Sequence, residues 1–138
     1  MIPNPGTAQF ALSAGIYKEL STSQLLSTLT KGVFDGDAPP AIAYPYIVIG
    51  ETTEGNNDLL NRFGMVLTVA IHVWSRYRGT SEAKIITNEI LKRLNRHQLP
   101  CEDWVVTLAT YEGANTLTEG DEVRHAIIRM RYKMSPKE

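Results

Sequence analysis

The sequence predicts an α+β domain in which an antiparallel sheet of about four strands is packed on one face by helices, in the order α-α-β-β-α-β-β. Three observations predict it. Apolar residues recur at helical spacing before residue 30 and again between 80 and 97, and they alternate with a period of two from 63 to 74 and from 122 to 134. Clusters of Gly, Pro, Asn and Asp separate these stretches. The 138 residues, 43% of them apolar, fit one domain spanning 1–138 with a real core.

From Thr7 to Leu20, Ala8, Leu12, Gly15, Ile16 and Leu20 fall on one helical face, and Leu25, Leu26 and Leu29 continue the theme from Thr22 to Leu29 until Gly32 ends it. Ser and Thr residues near both starts offer side-chain oxygens to the first-turn amides. The two prolines within Met1 to Gly6 suggest a flexible arm. Val33 to Pro40, rich in Asp, Gly and Pro, is expected to be a rigid connector.

Tyr46 to Thr52 reads as a strand led in by Pro45. Its partner runs from Phe63 to Trp74, with Phe63, Met65, Leu67, Val69, Ile71 and Val73 on one face and Gly64, Val66, Thr68, Ala70, His72 and Trp74 on the other. Thr53 to Arg62 joins them as a polar loop longer than most hairpin connections, which marks Asn56, Asn57, Asp58, Leu59 and Leu60 as contact residues unless the loop is an idle tip. Thr80 to His97 is an amphipathic helix with Ala83, Ile86, Ile90 and Leu94 as its stripe, capped by Thr80 or Ser81 and stopped before Pro100. The last two strands are Trp104 to Tyr111 and Glu122 to Met134, joined by a second polar loop, Glu112 to Asp121, that offers Asn115, Thr116 and Leu117. Both loops are expected to project from the same end or the rim of the sheet and to touch neighbouring subunits.

In the final strand Ala126, Ile128, Met130, Tyr132 and Met134 face one way, while His125, Arg129, Arg131 and Lys133 face the other, giving one sheet face a basic stripe. Three readings of Arg129, Arg131 and Lys133 stand side by side: solvated charges, a contact with an acidic protein neighbour, or a contact with phosphates. Lys+Arg 14 against Asp+Glu 15, a net charge of -1, excludes the strong positive excess of a dedicated nucleic-acid binder. Neither a helix-turn-helix nor a zinc-finger pattern is present.

Chemistry is sparse. Cys101, with His97 four residues earlier, shows no sign of an activated thiolate and reads as a structural loop residue. A single cysteine allows no internal disulfide and, with no secretory leader in Met1 to Pro5, fits synthesis in a reducing compartment. His72 and His125 could approach from different strands, but neither sits in a metal-ligand motif. Asp35-Gly36-Asp37 lacks the rest of a calcium loop and reads as a turn. No GxSxG, Walker or GxGxxG motif occurs, so no enzyme, metal or cofactor is expected, and no apolar run is long enough to cross a membrane.

Three blocks carry a resemblance: Val33-Phe34-Asp35-Gly36 with the following prolines, Pro45-Tyr46-Ile47-Val48-Ile49-Gly50-Glu51, and His72-Val73-Trp74-Ser75-Arg76 followed by Gly79 and Glu82-Ala83-Lys84. In that order, from Ile16 to the C-terminus, the chain resembles the tail completion family of long-tailed bacteriophages, also called tail-to-head joining or tail terminator proteins. The resemblance implies a structural virion protein, made in the host bacterial cytoplasm, that forms a ring, typically hexameric, at the head-proximal end of the tail tube. It implies as partners other copies of itself, the tail tube protein and a head-side connector or stopper, with DNA passing through the lumen unread. It leaves the level within the joint open and carries no catalytic residues. A small nucleic-acid-binding domain using Arg129, Arg131 and Lys133 is the alternative; a hydrolase or transferase with an unfamiliar motif is a third.

Overall fold

A computed structural model describes residues 4–137. Three helices, α1 (Gln9–Ser21), α2 (Gln24–Leu29) and α3 (Ser81–Leu94), lie on one face of a sheet formed by β1 (Val33–Asp35), β2 (Tyr46–Asn56), β3 (Met65–Ser75), β4 (Trp104–Glu119) and β5 (Val123–Pro136). The sheet order is β1-β2-β3-β5-β4, antiparallel except that β1 pairs in parallel with β2.

Two expectations about the sheet are corrected. It has five strands, because Val33 to Asp35, expected to be a connector, forms an edge strand through the register Val33↔Ile47 and Asp35↔Ile49. The turn-forming residues lie just beyond it, so the prolines end the ladder without preventing it. Glu112 to Asp121 is mostly strand: β4 continues to Glu119 against β5, and only a tight turn separates them. The strong alternation of β5 supplies a pairing surface for the polar β4 extension, with two register shifts, at Val106/Leu108 and Tyr111/Gly113.

The core lies between sheet and helices. Ala8, Leu12, Ile16 and Leu20 of the first helical segment, Ala83, Ile86, Ile90 and Leu94 of α3, Leu67, Val69, Ile71 and Val73 of β3, and Ala126, Ile128, Met130, Tyr132 and Met134 of β5 are buried together, with Met65 partly buried beside them. At ~1.5–3 kcal/mol per buried aliphatic side chain, this single cluster dominates folding. Gly15 lets α1 approach the loop before β4, since a Cβ there would sit 2.8 Å from the buried Cys101 Sγ. Burial pushes the Cys101 thiol up, with Lys137 opposing weakly, which makes it a structural thiol.

The helix ends are satisfied differently from the sequence expectation. Ser23 Oγ accepts from Leu26 N and caps α2 as its residue type implies. Neither α1 nor α3 has a side-chain cap at its N-cap residue. The Glu54 carboxylate, reaching from β2, accepts from Ala8 N and Thr7 Oγ1, each at 2.7 Å, and so places a negative charge at the positive end of α1. Glu82 of α3 instead accepts from Ser75 Oγ at 2.6 Å. At the other end, α3 stops at Leu94, short of His97; Arg96 takes a positive φ and Asn95 Oδ1 accepts from Tyr111 N on the outer edge of β4. Arg93 ties α3 to α1 through Glu19 and to its own turn through Glu89. Of the arm expected over residues 1–6, residues 1–3 lie outside the described residues; Asn4 Oδ1 accepts from Gly6 N.

Candidate assembly surface

The face of the sheet away from the helices carries no secondary structure among the described residues, and the strand register fixes what it presents. Its first row is Tyr46, Trp74, His125 and Leu117; the next is Val48, His72, Ile127 and Asn115. Further along, Arg129 lies beside Ala70 and Gly113, Arg131 between Thr68 and Thr110, and Lys133 between Val66 and Leu108. One end of the face is therefore aromatic and aliphatic, and the other is basic. The expected basic stripe is brought together on consecutive same-face rungs, and Arg129, Arg131 and Lys133 form no ion pair among the described residues.

At the aromatic end a hydrogen-bonded chain crosses four strands. Glu51 Oε1 lies 3.2 Å from His72 Nε2, His72 Nδ1 lies 2.7 Å from His125 Nε2, and His125 Nδ1 lies 2.8 Å from Glu119 Oε1. The Trp74 indole covers His125, stacked at 3.7 Å between ring centroids and 10° between planes. Each outer nitrogen faces a carboxylate oxygen, and the two inner nitrogens share one hydrogen bond. Gly50 makes room for the chain, because a Cβ there would lie 2.6 Å from His72 Nε2.

The histidines thus approach as the sequence allows, but their inner nitrogens point at each other and not at a shared third ligand. Among the described residues no three His, Cys, Asp or Glu side chains converge in a way that could hold a metal ion. The arrangement staples β2, β3, β5 and β4 together on the side the helices do not cover. The sequence allowed His72 and His125 to approach from different strands; the register shows that they share a face on adjacent rungs.

The two hairpins leave opposite ends of the sheet, not the same end. The β2–β3 tip follows the rung Asn56↔Met65, beside Met134, whereas the β4–β5 tip follows Glu119↔Val123, beyond Ser75 and Arg124. An antiparallel path requires this: the β2–β3 turn lies at the start of β3 and the β4–β5 turn at the start of β5, and these two strands run in opposite directions. Asn56, Asn57, Asp58, Leu59 and Leu60 are all exposed, Leu60 completely. The tip is nevertheless ordered. Asp58 Oδ1 accepts from Gly64 N, Asn56 Oδ1 accepts from Asp58 N, and Leu59 and Arg62 form a bridge. The Gly64 N–H, and after it the Asn56 amide, hold the Asp58 carboxyl below the usual carboxylate range. Asn115, Thr116 and Leu117 lie within β4, with Asn115 and Leu117 on the uncovered face and Thr116 turned the other way.

A groove of about 410 Å³ runs between the Gly36–Pro40 turn and this face, lined by Tyr44, Tyr46, His72 and Trp74 among others. None of these groups forms a nucleophile and base pair. The surface combines apolar rings, aliphatic side chains and unpaired cations, the chemistry of a protein contact with a charged rim.

Residues 14–135 match the family described as tail completion protein gp17. The tail completion protein gp17 of Bacillus phage SPP1 is 30% identical over 95 residues, which cover 67% of this chain and 69% of that protein. The solved structure of bacteriophage SPP1 gp17 superposes with a TM-score of 0.61 at 26% identity, covering 91% of this chain and 89% of that one. A chain in the virion of a native gene transfer agent particle has the same fold, with a TM-score of 0.85 at 20% identity over 94% of this chain and 98% of that one. With the family matched across nearly the whole fold, the chain belongs to the tail completion protein gp17 family and is a structural protein of a bacteriophage tail.

Proposed function

We propose that this chain is a ring-forming tail completion or terminator subunit at the head-proximal end of the tail tube, where it joins the tail to a head-side connector. The family match over residues 14–135 carries the reading. The fold supports it: the sheet leaves one face free, with Leu108 and Leu117 both more than 40% exposed there, and hairpins extend from both ends. Copies of the chain would close a hexameric ring through heterologous contacts, with one tip toward the tube protein and the other toward the connector. A net charge of -1 suits a lumen through which DNA slides without being read.

Electron microscopy of tails made with and without this protein tests the proposal. Overlong or frayed tails in its absence indicate termination, and tails of normal length that fail to take up heads indicate joining. Normal, head-bound tails without the protein would refute both roles.

The unpaired Arg129, Arg131 and Lys133 favour one second reading, direct binding of nucleic acid. Three phosphate contacts would make log K fall with log salt at a slope of about -2.7. Under the assembly reading, a filter assay retains no duplex DNA at physiological salt.

A further inference from the structure

Beyond the uncovered face, three guanidiniums converge where the sheet ends. Arg76 and Arg78, in the loop after β3, and Arg124, at the start of β5, line a cleft of about 550 Å³ together with Asp121 and Glu122 of the β4–β5 tip. Arg76 is held at one side with its guanidinium 4.8 Å above the Tyr44 ring. No carboxylate lies within ion-pair distance of any of the three among the described residues, and Arg124 Nη1 is buried without a hydrogen-bond partner. Arg124 as a whole is half-buried, so its guanidinium combines one unpaired buried nitrogen with an accessible side that an incoming carboxylate can pair. Three guanidiniums against two carboxylates leave a formal charge of +1. A net charge of +1 matches a short protein segment with one or two carboxylates, which arginine can pair in bidentate geometry, better than it matches a polyanion such as DNA.

The same chain presents such a segment elsewhere. Asp35 and Asp37 flank Gly36 on the β1 edge, all three are exposed, and neither carboxylate has an ion-pair partner among the described residues. Gly36 N donates to Ile49 O and Asp37 N to Asp35 O, which fixes the turn with both acids outward. The acidic turn and the arginine cleft share no residue, so every copy can give one and receive one. That is the requirement of a heterologous contact.

We propose that the Asp35-Gly36-Asp37 turn of one copy seats in the Arg76, Arg78 and Arg124 cleft of the next copy. The proposal rests on the ring reading above and supplies the charge pairing of its interface. Two charge reversals test it, D35K/D37K and R76E/R78E, all at exposed positions so that the melting curves stay close to wild type. Wild type and variants are added to tails purified without the protein, and the copies taken up are counted by electron microscopy and quantitative mass spectrometry.

Each variant alone faces like charge against like, and uptake falls at least about tenfold, as expected when charge-assisted pairs become repulsive. Mixed in equal amounts, the two variants complement each other in alternation, and uptake returns to within about twofold of wild type. Wild-type uptake by either variant alone, or a mixture that stays at the level of the single variants, overturns the contact while leaving the ring reading intact. Failure of wild type itself to join tails overturns both. Duplex DNA retained by wild type and released by R76E/R78E would assign the cleft to phosphate instead and also overturns the proposal.

Discussion

Replacing Gly50 by alanine attacks the four-strand staple at its tightest point. The new Cβ would lie 2.6 Å from both Cδ2 and Nε2 of His72 and 3.0 Å from the Ala70 carbonyl oxygen, so the imidazole has to swing away. Its bonds to Glu51 and His125 are then lost, and the inner nitrogen of His125, a residue only 6% exposed, is left without a partner. Overpacking of this kind costs about 1–3 kcal/mol, and an orphaned buried polar group about 1–3 kcal/mol. The two overlap, and about 3 kcal/mol is a fair expectation. For 138 residues at about 2.1 cal/mol/K each, the unfolding entropy is about 0.3 kcal/mol/K, so Tm falls by about 10 °C. Gly55→Ala, on the same strand, is the control: its Cβ meets only Val66 Cγ1 at 3.6 Å, an ordinary contact, and an alanine in a strand interior is neutral to slightly stabilising. Calorimetric melts of both variants, with the histidine ring signals followed by NMR, decide the matter. Equal Tm values and unmoved ring signals in Gly50→Ala would refute the reasoning.

Three further outcomes are expected. Deleting Asn56 to Asn61 leaves the melt within a few degrees of wild type while lowering uptake onto tails, because the tip contributes nothing to the core; full uptake by the deletion would strip the loop of a role. Glu54→Ala removes both bonds at the start of α1 and costs about 1–2 kcal/mol in a denaturant melt, whereas Glu51→Ala, on the exposed side, costs less than half of that. Tyr132 is wholly buried, its hydroxyl has no partner among the described residues, and burial pushes its pKa far up, so the folded state keeps a proton that the unfolded chain releases. Stability from this group is complete below about pH 10 and declines as pH rises past it. Tyr132→Phe should be at least as stable as wild type at pH 7 and should flatten the alkaline decline; a loss above about 1 kcal/mol at pH 7 would reveal a hydrogen bond.

Local pattern carried the parts of this fold that bury apolar area. The stripe of α3 and the alternation of β5 name their inward residues, and that of β3 does so from Leu67 to Val73, since burial selects strongly on one face; Phe63 and Met65, at the start of the same alternation, are only half-buried. Leu25 shows the limit: it fits the helical spacing of α2 yet is 46% exposed, because a helix of six residues has too few turns to bury more than Leu26. Strands held by neighbours are hidden. Val33 to Asp35 and the stretch from Glu112 to Glu119 carry weak signals of their own and are strands because β2 and β5 present ladders to them.

The surface was legible in the same uneven way. Parity gave the basic rungs at Arg129, Arg131 and Lys133, since all three lie on one strand. The pairing of His72 with His125, the reach of Glu54 to α1, and the convergence of Arg76, Arg78 and Arg124 depend on register between distant segments. The opposite placement of the hairpin tips follows from strand direction, and it could have been worked out from the predicted order once the two long strands were paired with each other.

That placement has a mechanical consequence. A pull applied between the Leu60 tip and the Gly120 turn runs along the strands, so it loads the backbone bonds between β3 and β5 side by side in shear instead of peeling them apart one at a time. The eleven paired rungs from Met65↔Met134 to Ser75↔Arg124 would share such a load, and the histidine chain clamps the same strands near one end of that overlap. A subunit held at both tips would be stiff along its strands.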